Sequence, residues 1–292
     1  MGEGERKKRI SGGMKTAVHI AAMEWRNLFC STKIFVLGIL LIFFNEQIVR
    51  PLRQCSGLMT QKVSCFEPYA ALCNSGAVML VLPLFYLSMM ADFPKEGGIS
   101  LFFHIRCSRL AWLLGELLFV ILSIFTLVFY MMAAGILLIL PCGQWILHFS
   151  DAVTKYISVF PDRAGDYVTQ LLPENLYNQI PLREVMLHST ALLALYLAML
   201  ALVLLLFTLV NHKKAGIFLD GILILFGVVS CGMHLDTMWM FPMANTVVWL
   251  HYTGYLAEPV YPVWASYLYF GIADITLIIC CITVRKRYQI RA

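Results

Sequence analysis

Residues 188–210 read HSTALLALYLAMLALVLLLFTLV, 23 residues without an Asp, Glu, Lys or Arg. About 20 such residues wound as a helix cross the hydrocarbon core of a bilayer. Lipid offers no partner to backbone amides and carbonyls, so a crossing segment of this kind must be helical. Working outward from it, comparable apolar stretches lie at 34–48, 70–91, 113–140, 217–235 and 263–284. The chain therefore reads as an all-α integral membrane protein with six transmembrane helices. Its composition agrees: 60% of residues are hydrophobic and 13% charged, against about 45–50% and about 25% in soluble domains. Two stretches fit less well. The first meets Asn45, Glu46 and Gln47 after eleven apolar residues, and the fifth needs Cys231 to Leu235 to reach full length.

Orientation follows from Lys and Arg, whose excess marks the cytoplasmic loops. With the N-terminus inside, sixteen of the 22 fall on the inner side. Arg50, Arg53, Lys62, Lys155, Arg163 and Arg183 fall outside. The reading is a multi-pass plasma-membrane protein with N- and C-termini cytoplasmic. The net charge of +5 is then a topology signal and an attraction to the inner leaflet. No clustered footprint for nucleic acid accompanies it.

Residues 1–13 read as a disordered basic tail, and 14–292 as a single six-span domain. No cleavable signal peptide is expected, because a polar helix follows the basic start. That helix, Met14 to Lys33, is amphipathic, with Met14, Ala17, Val18, Ala21, Trp25, Leu28 and Phe29 on one stripe and Lys15, His19 and Arg26 elsewhere. It is expected to lie along the inner membrane surface with Trp25 at headgroup depth. Between spans two and three, a turn at Pro94 and Gly97-Gly98 leads into Ile99, Leu101, Phe102, Phe103, His104 and Ile105. A short cytoplasmic helix is expected there, with Arg106 and Arg109 on one face. The outer segment 141–187 is expected to form short helices at the membrane surface, being too small for an independent domain. The aromatic-rich segment 232–262 fits an interfacial belt or a partly re-entrant hairpin. Among nine scattered cysteines, Cys55 and Cys65 are close enough in sequence to pair in the first outer loop, a question spacing leaves open.

Several chemistries have no motif in this sequence. A phosphate-cradling G-x-x-x-x-G-K-[ST] loop and the H-E-x-x-H metal motif are missing. Residues 227–232, GVVSCG, lack the spacing of a G-x-S-x-G elbow. Cys231, His234 and Asp236 read as a polar helix end rather than a metal site. No catalytic, cofactor-binding or metal-binding residue is assigned. Asp274, near the midpoint of the sixth span, stands out, since an ionised carboxylate there costs about 2.5–3.5 kcal/mol unless it meets a partner or water. Phe270 and Tyr267 share its face, and a Tyr267 phenol is placed to donate to it. Glu116 and Asp220 read as snorkelling or dipole-stabilised acids near the inner ends of their spans.

In order and spacing these residues resemble the membrane permease subunit of a type 2 ATP-binding-cassette (ABC) exporter, in its Gram-positive bacterial form. The likeness rests on the amphipathic helix before span one, on Ala91-Asp92-Phe93-Pro94 closing span two, on Arg106-Cys107-Ser108-Arg109-Leu110-Ala111-Trp112 running into Leu113-Leu114-Gly115-Glu116, and on Arg285-Lys286-Arg287-Tyr288 at the end. Many members carry Gly-Lys where this chain has Gly115-Glu116. The resemblance implies a half-transporter, not an enzyme, that dimerises with a second copy or a sister permease. It implies a separate ATPase subunit docked on the short helix, beside Phe102, Phe103, Arg106 and Arg109. The interfacial helix, with Trp25 and Arg26, would be a second contact. Two other readings remain open: a proton-coupled secondary transporter using Asp274, and a non-transporting accessory or immunity protein. The lipid bilayer is a partner under all three, and nucleic acid under none.

Overall fold

A computed structural model describes residues 3–94, 107–253 and 259–285, with side chains from Gly13 onward except at Ala77. Its described residues are almost entirely helical. Five helices are long and apolar enough to cross a membrane: Ile34–Met59, Arg109–Cys142, Leu182–Leu209, Lys213–Gly232 and Val263–Val284. Glu67–Asn74 with Val78–Met90 makes a sixth if that bent pair is one span.

Helix α1 (Glu3–Phe29) begins inside the stretch expected as a disordered tail. Glu, Lys and Arg, abundant there, are good helix formers. After a turn, α2 (Ile34–Phe44), a π-helical turn (Asn45–Val49) and α3 (Arg50–Met59) follow without interruption. The first span thus runs well beyond residue 48. The polar residues that suggested its end sit on the exposed side, where Arg50 Nη1 pairs with Glu46 Oε2 at 2.7 Å. Ile48, Val49 and Leu52 continue the buried side.

The stretch expected as one span at 70–91 is instead two helices, α4 (Glu67–Asn74) and α5 (Gly76–Met90). Ser75 between them is extended, at φ −79° and ψ 124°, and the halves meet at 84°. With 15 residues, α5 is roughly 22 Å long, short of the ~30 Å hydrocarbon core on its own.

Helix α6 (Arg109–Ile139) is capped by Ser108, whose Oγ accepts from the Ala111 amide at 3.1 Å. Its 31 residues make it about 46 Å long, about 16 Å longer than a bilayer core is thick. Segment 143–180 folds as expected into short helices, α7 (Asp151–Thr154), α8 (Tyr156–Val159), α9 (Tyr167–Leu171) and α10 (Glu174–Tyr177). A two-residue parallel pairing, β1 (Val63–Ser64) with β2 (Gly143–Gln144), ties that segment to the head of α4. There the buried Glu67 carboxylate accepts from the Ser64 amide at 2.9 Å and from Ser150 N at 2.5 Å. Cys55 and Cys65 are both buried free thiols, so the bridge left open by spacing is not formed. Cys55 Sγ donates instead to the Ala152 carbonyl at 3.2 Å.

Helix α11 (Leu182–Leu209) is the most enclosed span, packed by α12 (Lys213–Gly232), α14 (Val263–Val284), α4 and α5. Between α12 and α14, a 3₁₀ turn (Asp236–Met240), α13 (Pro242–Thr246) and a second 3₁₀ turn (Val248–His251) form a cap. Polarity is inverted relative to a soluble bundle. On α14, Ser266, Phe270, Asp274 and Cys281 face inward, while Trp264, Leu268, Ile272, Ile275 and Ile279 are exposed. The outer faces of α6 and α12 likewise present Phe125, Phe129, Leu137, Phe218 and Leu225. Large apolar side chains outside with polar ones inside are compatible with a multi-pass membrane protein whose solvent is lipid.

Candidate functional site

Three places concentrate the polar chemistry of the bundle. At the end carrying Lys33, Arg109 and Lys213, α1 does not lie alone on a surface but seats along the N-terminal half of α6. The expected stripe divides in two. Ala17, Ala21 and Leu28 face the bundle together with Ile20 and Glu24, while Met14, Val18, Trp25 and Phe29 stay exposed. The close approach depends on Gly115, where an added Cβ would lie 2.8 Å from Ile20 Cβ and 3.1 Å from the Ala17 carbonyl oxygen. The Trp25 indole donates to Thr126 Oγ1 at 2.8 Å, and Arg26 is exposed.

Glu116 does not snorkel to water. It is buried in the seam with Glu24, which acts on it electrostatically, and shares a hydrogen bond with Trp112. Lys33, at the turn between α1 and α2, donates to the Met89 carbonyl at 2.5 Å and pairs with Asp92 at 3.3 Å. Lys213 Nζ reaches the Pro94 carbonyl at 3.4 Å. Three spans are thus cross-tied at this end. Arg109 is the exposed first residue of α6. Phe102, Phe103 and Arg106, with the expected short helix, lie outside the described residues.

Midway along the bundle, Asp274 is 8% exposed and its Oδ1 has no hydrogen-bond partner. Tyr267 does not serve it. The phenol lies two turns nearer the opposite end, where α11 offers His188, and Tyr267 OH meets His188 Nδ1 at 2.9 Å. Asp220 is fully buried, with both carboxylate oxygens unpartnered, so the snorkelling expected of it does not occur. Packing of α12 against α11 and α5 closes the route to water. The Tyr196 hydroxyl on α11 is likewise buried and unpartnered.

The third place, at the opposite end, was missed in the sequence. Asn74, the last residue of α4, is a hub at the break. Its Nδ2 donates to the Ala70 carbonyl and to Ser189 Oγ, both at 2.9 Å, while its Oδ1 accepts from the Val248 amide at 3.0 Å. The carbonyl freed by the break accepts from the Trp249 indole at 2.7 Å. In this way the cap supplies the partners that an interrupted helix loses. A second chain of bonds runs Asn245, Ser266, His251 across the cap and the head of α14. A lone Asn inside the apolar stretch 70–91 was the available signal. Cys231, His234 and Asp236 form no metal site: among the described residues no group of three potential ligands converges.

Comparison with protein-family models, with curated proteins and with solved structures gave no match. The class these features define is therefore an all-α bundle with the make-up of a multi-pass membrane protein.

Proposed function

We propose that this chain is the membrane-spanning subunit of an ABC exporter, forming the translocation pathway as a dimer and driven by a separate ATPase subunit. The partner permease is a second copy or a sister chain, the membrane is the plasma membrane, and both termini face the cytoplasm. The observation that carries the reading is the clasp of α1 on the N-terminal half of α6. It joins the N-terminal helix to the helix that directly follows segment 95–106, at the end where Lys33, Asp92 and Lys213 cross-tie the spans. A force applied to that segment from the cytoplasm would reach spans one and three together. No nucleotide-binding loop lies within this sequence, which supports assigning ATP hydrolysis to a partner subunit.

Tagged protein extracted from its native membrane is expected to co-elute with a stoichiometric cassette ATPase, identified by mass spectrometry. Arg106→Glu is expected to lower coupled ATP hydrolysis severalfold without shifting the thermal midpoint. Reproducible absence of an ATPase removes the proposal, and unchanged coupling removes the role of the segment.

The unpartnered Oδ1 of buried Asp274 favours a second reading, a proton-coupled transporter. Under it, Asp274→Asn abolishes uptake or efflux in vesicles that contain no ATPase. Under the exporter reading, the same variant retains ATP-driven transport.

A further inference from the structure

His251 is fully buried at the end of the second 3₁₀ turn of the cap. Its Nδ1 lies 3.1 Å from the Val247 carbonyl oxygen, and its Nε2 lies 2.9 Å from Ser266 Oγ. Ser266 Oγ in turn lies 2.8 Å from Asn245 Oδ1. The orientation of Asn245 is not free, because its Nδ2 donates to the carbonyls of Trp239, at 2.8 Å, and Phe241, at 3.0 Å. Its Oδ1 can therefore only accept.

These three links need three hydrogens. A carbonyl oxygen stands at each end, so all of them must come from the imidazole and one hydroxyl. A neutral imidazole brings one and the serine brings one. In either tautomer, one link is then a contact between two lone pairs, at Nδ1, at Nε2 or between Ser266 Oγ and Asn245 Oδ1. Histidinium brings the third hydrogen and completes the chain.

The surroundings oppose that charge. Facing His251 are His188 of α11, Tyr267 of α14 bonded to His188, Tyr261 ahead of α14 with its ring 6.0 Å away, and Trp239 at 5.0 Å. None of these is a carboxylate, and His188 is itself a base. Burial pushes the pKa of His251 from 6.5 down to about 4. Among the described residues, the packed site thus has no fully satisfied state: neutral, it lacks a hydrogen, and charged, it lacks solvation.

We propose that His251 is a proton-operated latch, which when neutral holds the cap on the head of α14 and when protonated releases it into water. Release of the turn would also free Val248 and Trp249 from Asn74, loosening the break between α4 and α5. The sign follows from the depressed value. Above pH 6.5 the closed and open forms are both neutral and the latch holds. Between about 6.5 and about 4 the open form binds the proton first, so closure weakens as pH falls. From those two values, opening should become roughly 30-fold more favourable between pH 7.5 and pH 5.

Hydrogen exchange of the full chain in lipid nanodiscs, corrected for the intrinsic pH dependence, tests this at the Val248 amide, which Asn74 Oδ1 holds in the closed cap. The wild type is expected to lose about that factor in protection at pH 5 while α11 stays protected. His251→Gln, which cannot titrate, is expected to hold equal protection at both pH values. Should that variant leave the cap open throughout, the wild-type pH profile decides, because a histidine latch loses protection progressively below pH 6.5 and levels off at about 4. Wild-type protection independent of pH, an unchanged pH dependence in His251→Gln, or a loss of wild-type protection that sets in only below about 4 would each overturn the latch.

Discussion

Gly115→Val is expected to unseat α1 and to lower the thermal midpoint by roughly 5–10 °C, the shift that about 3 kcal/mol of overpacking gives in a chain of this size. The clash is specific. A Cβ at this position would sit 2.8 Å from Ile20 Cβ, 2.9 Å from Ile20 Cγ2 and 3.1 Å from a backbone oxygen, so there is no flexible side-chain end to move aside. Gly271→Val in α14 is the matched control, since no atom lies within 4 Å of its added Cβ. Both substitutions carry the same change in helix propensity, and the difference between them isolates the seam. Tryptic cleavage after Arg26, followed with time, should accelerate in the Gly115 variant alone. An unaltered midpoint and cleavage rate would mean that α1 is not held by this contact. Under the proposed function, the same variant should also uncouple ATP hydrolysis from transport.

Asn74→Ala should be comparably damaging by a different route. The change strands the Val248 amide and the Ser189 hydroxyl, both buried and both bonded to the Asn74 side chain. Each orphaned group costs about 1–3 kcal/mol, which together is roughly 2–5 kcal/mol. The Trp249 bond is to the Asn74 backbone and survives the substitution. The cap should therefore loosen first at Val248, measurable as lost amide protection there, with the midpoint falling by several degrees. A loss well below ~1 kcal/mol would show that water takes over the vacated positions, and the hub would then be a consequence of the break rather than its support.

The parts of this architecture that were legible beforehand are those whose signal is local. Residues 188–210 and 263–284 announced themselves by length and apolarity, because one helix must bury its own backbone groups in lipid and can be judged without its neighbours. The short helices after residue 150 and the pairing of basic residues with one end of the bundle belong to the same class. Where the reading departed from the fold, a pairwise contact decided. Residues 45–47 looked like the end of a span, yet exposed pairing of Glu46 with Arg50 lets the helix continue to Met59. Tyr267 and Asp274 share a helical face, and the phenol bonds His188 across the interface with α11 instead. Asn74 reads as one polar residue in an apolar run, and its role depends on Val248, 174 residues later.

The sequence by itself determined that the chain is helical, that its apolar stretches are long enough to cross a membrane, and that no nucleotide-binding loop accompanies them. Composition and spacing decide those matters because each is a property of one segment against its solvent. Tertiary structure alone decided where a span breaks, which helix α1 clasps, and which buried polar atoms find partners. Those are pairwise outcomes of packing, and a hydrogen bond between Asn74 and the cap exists only once both have been brought together.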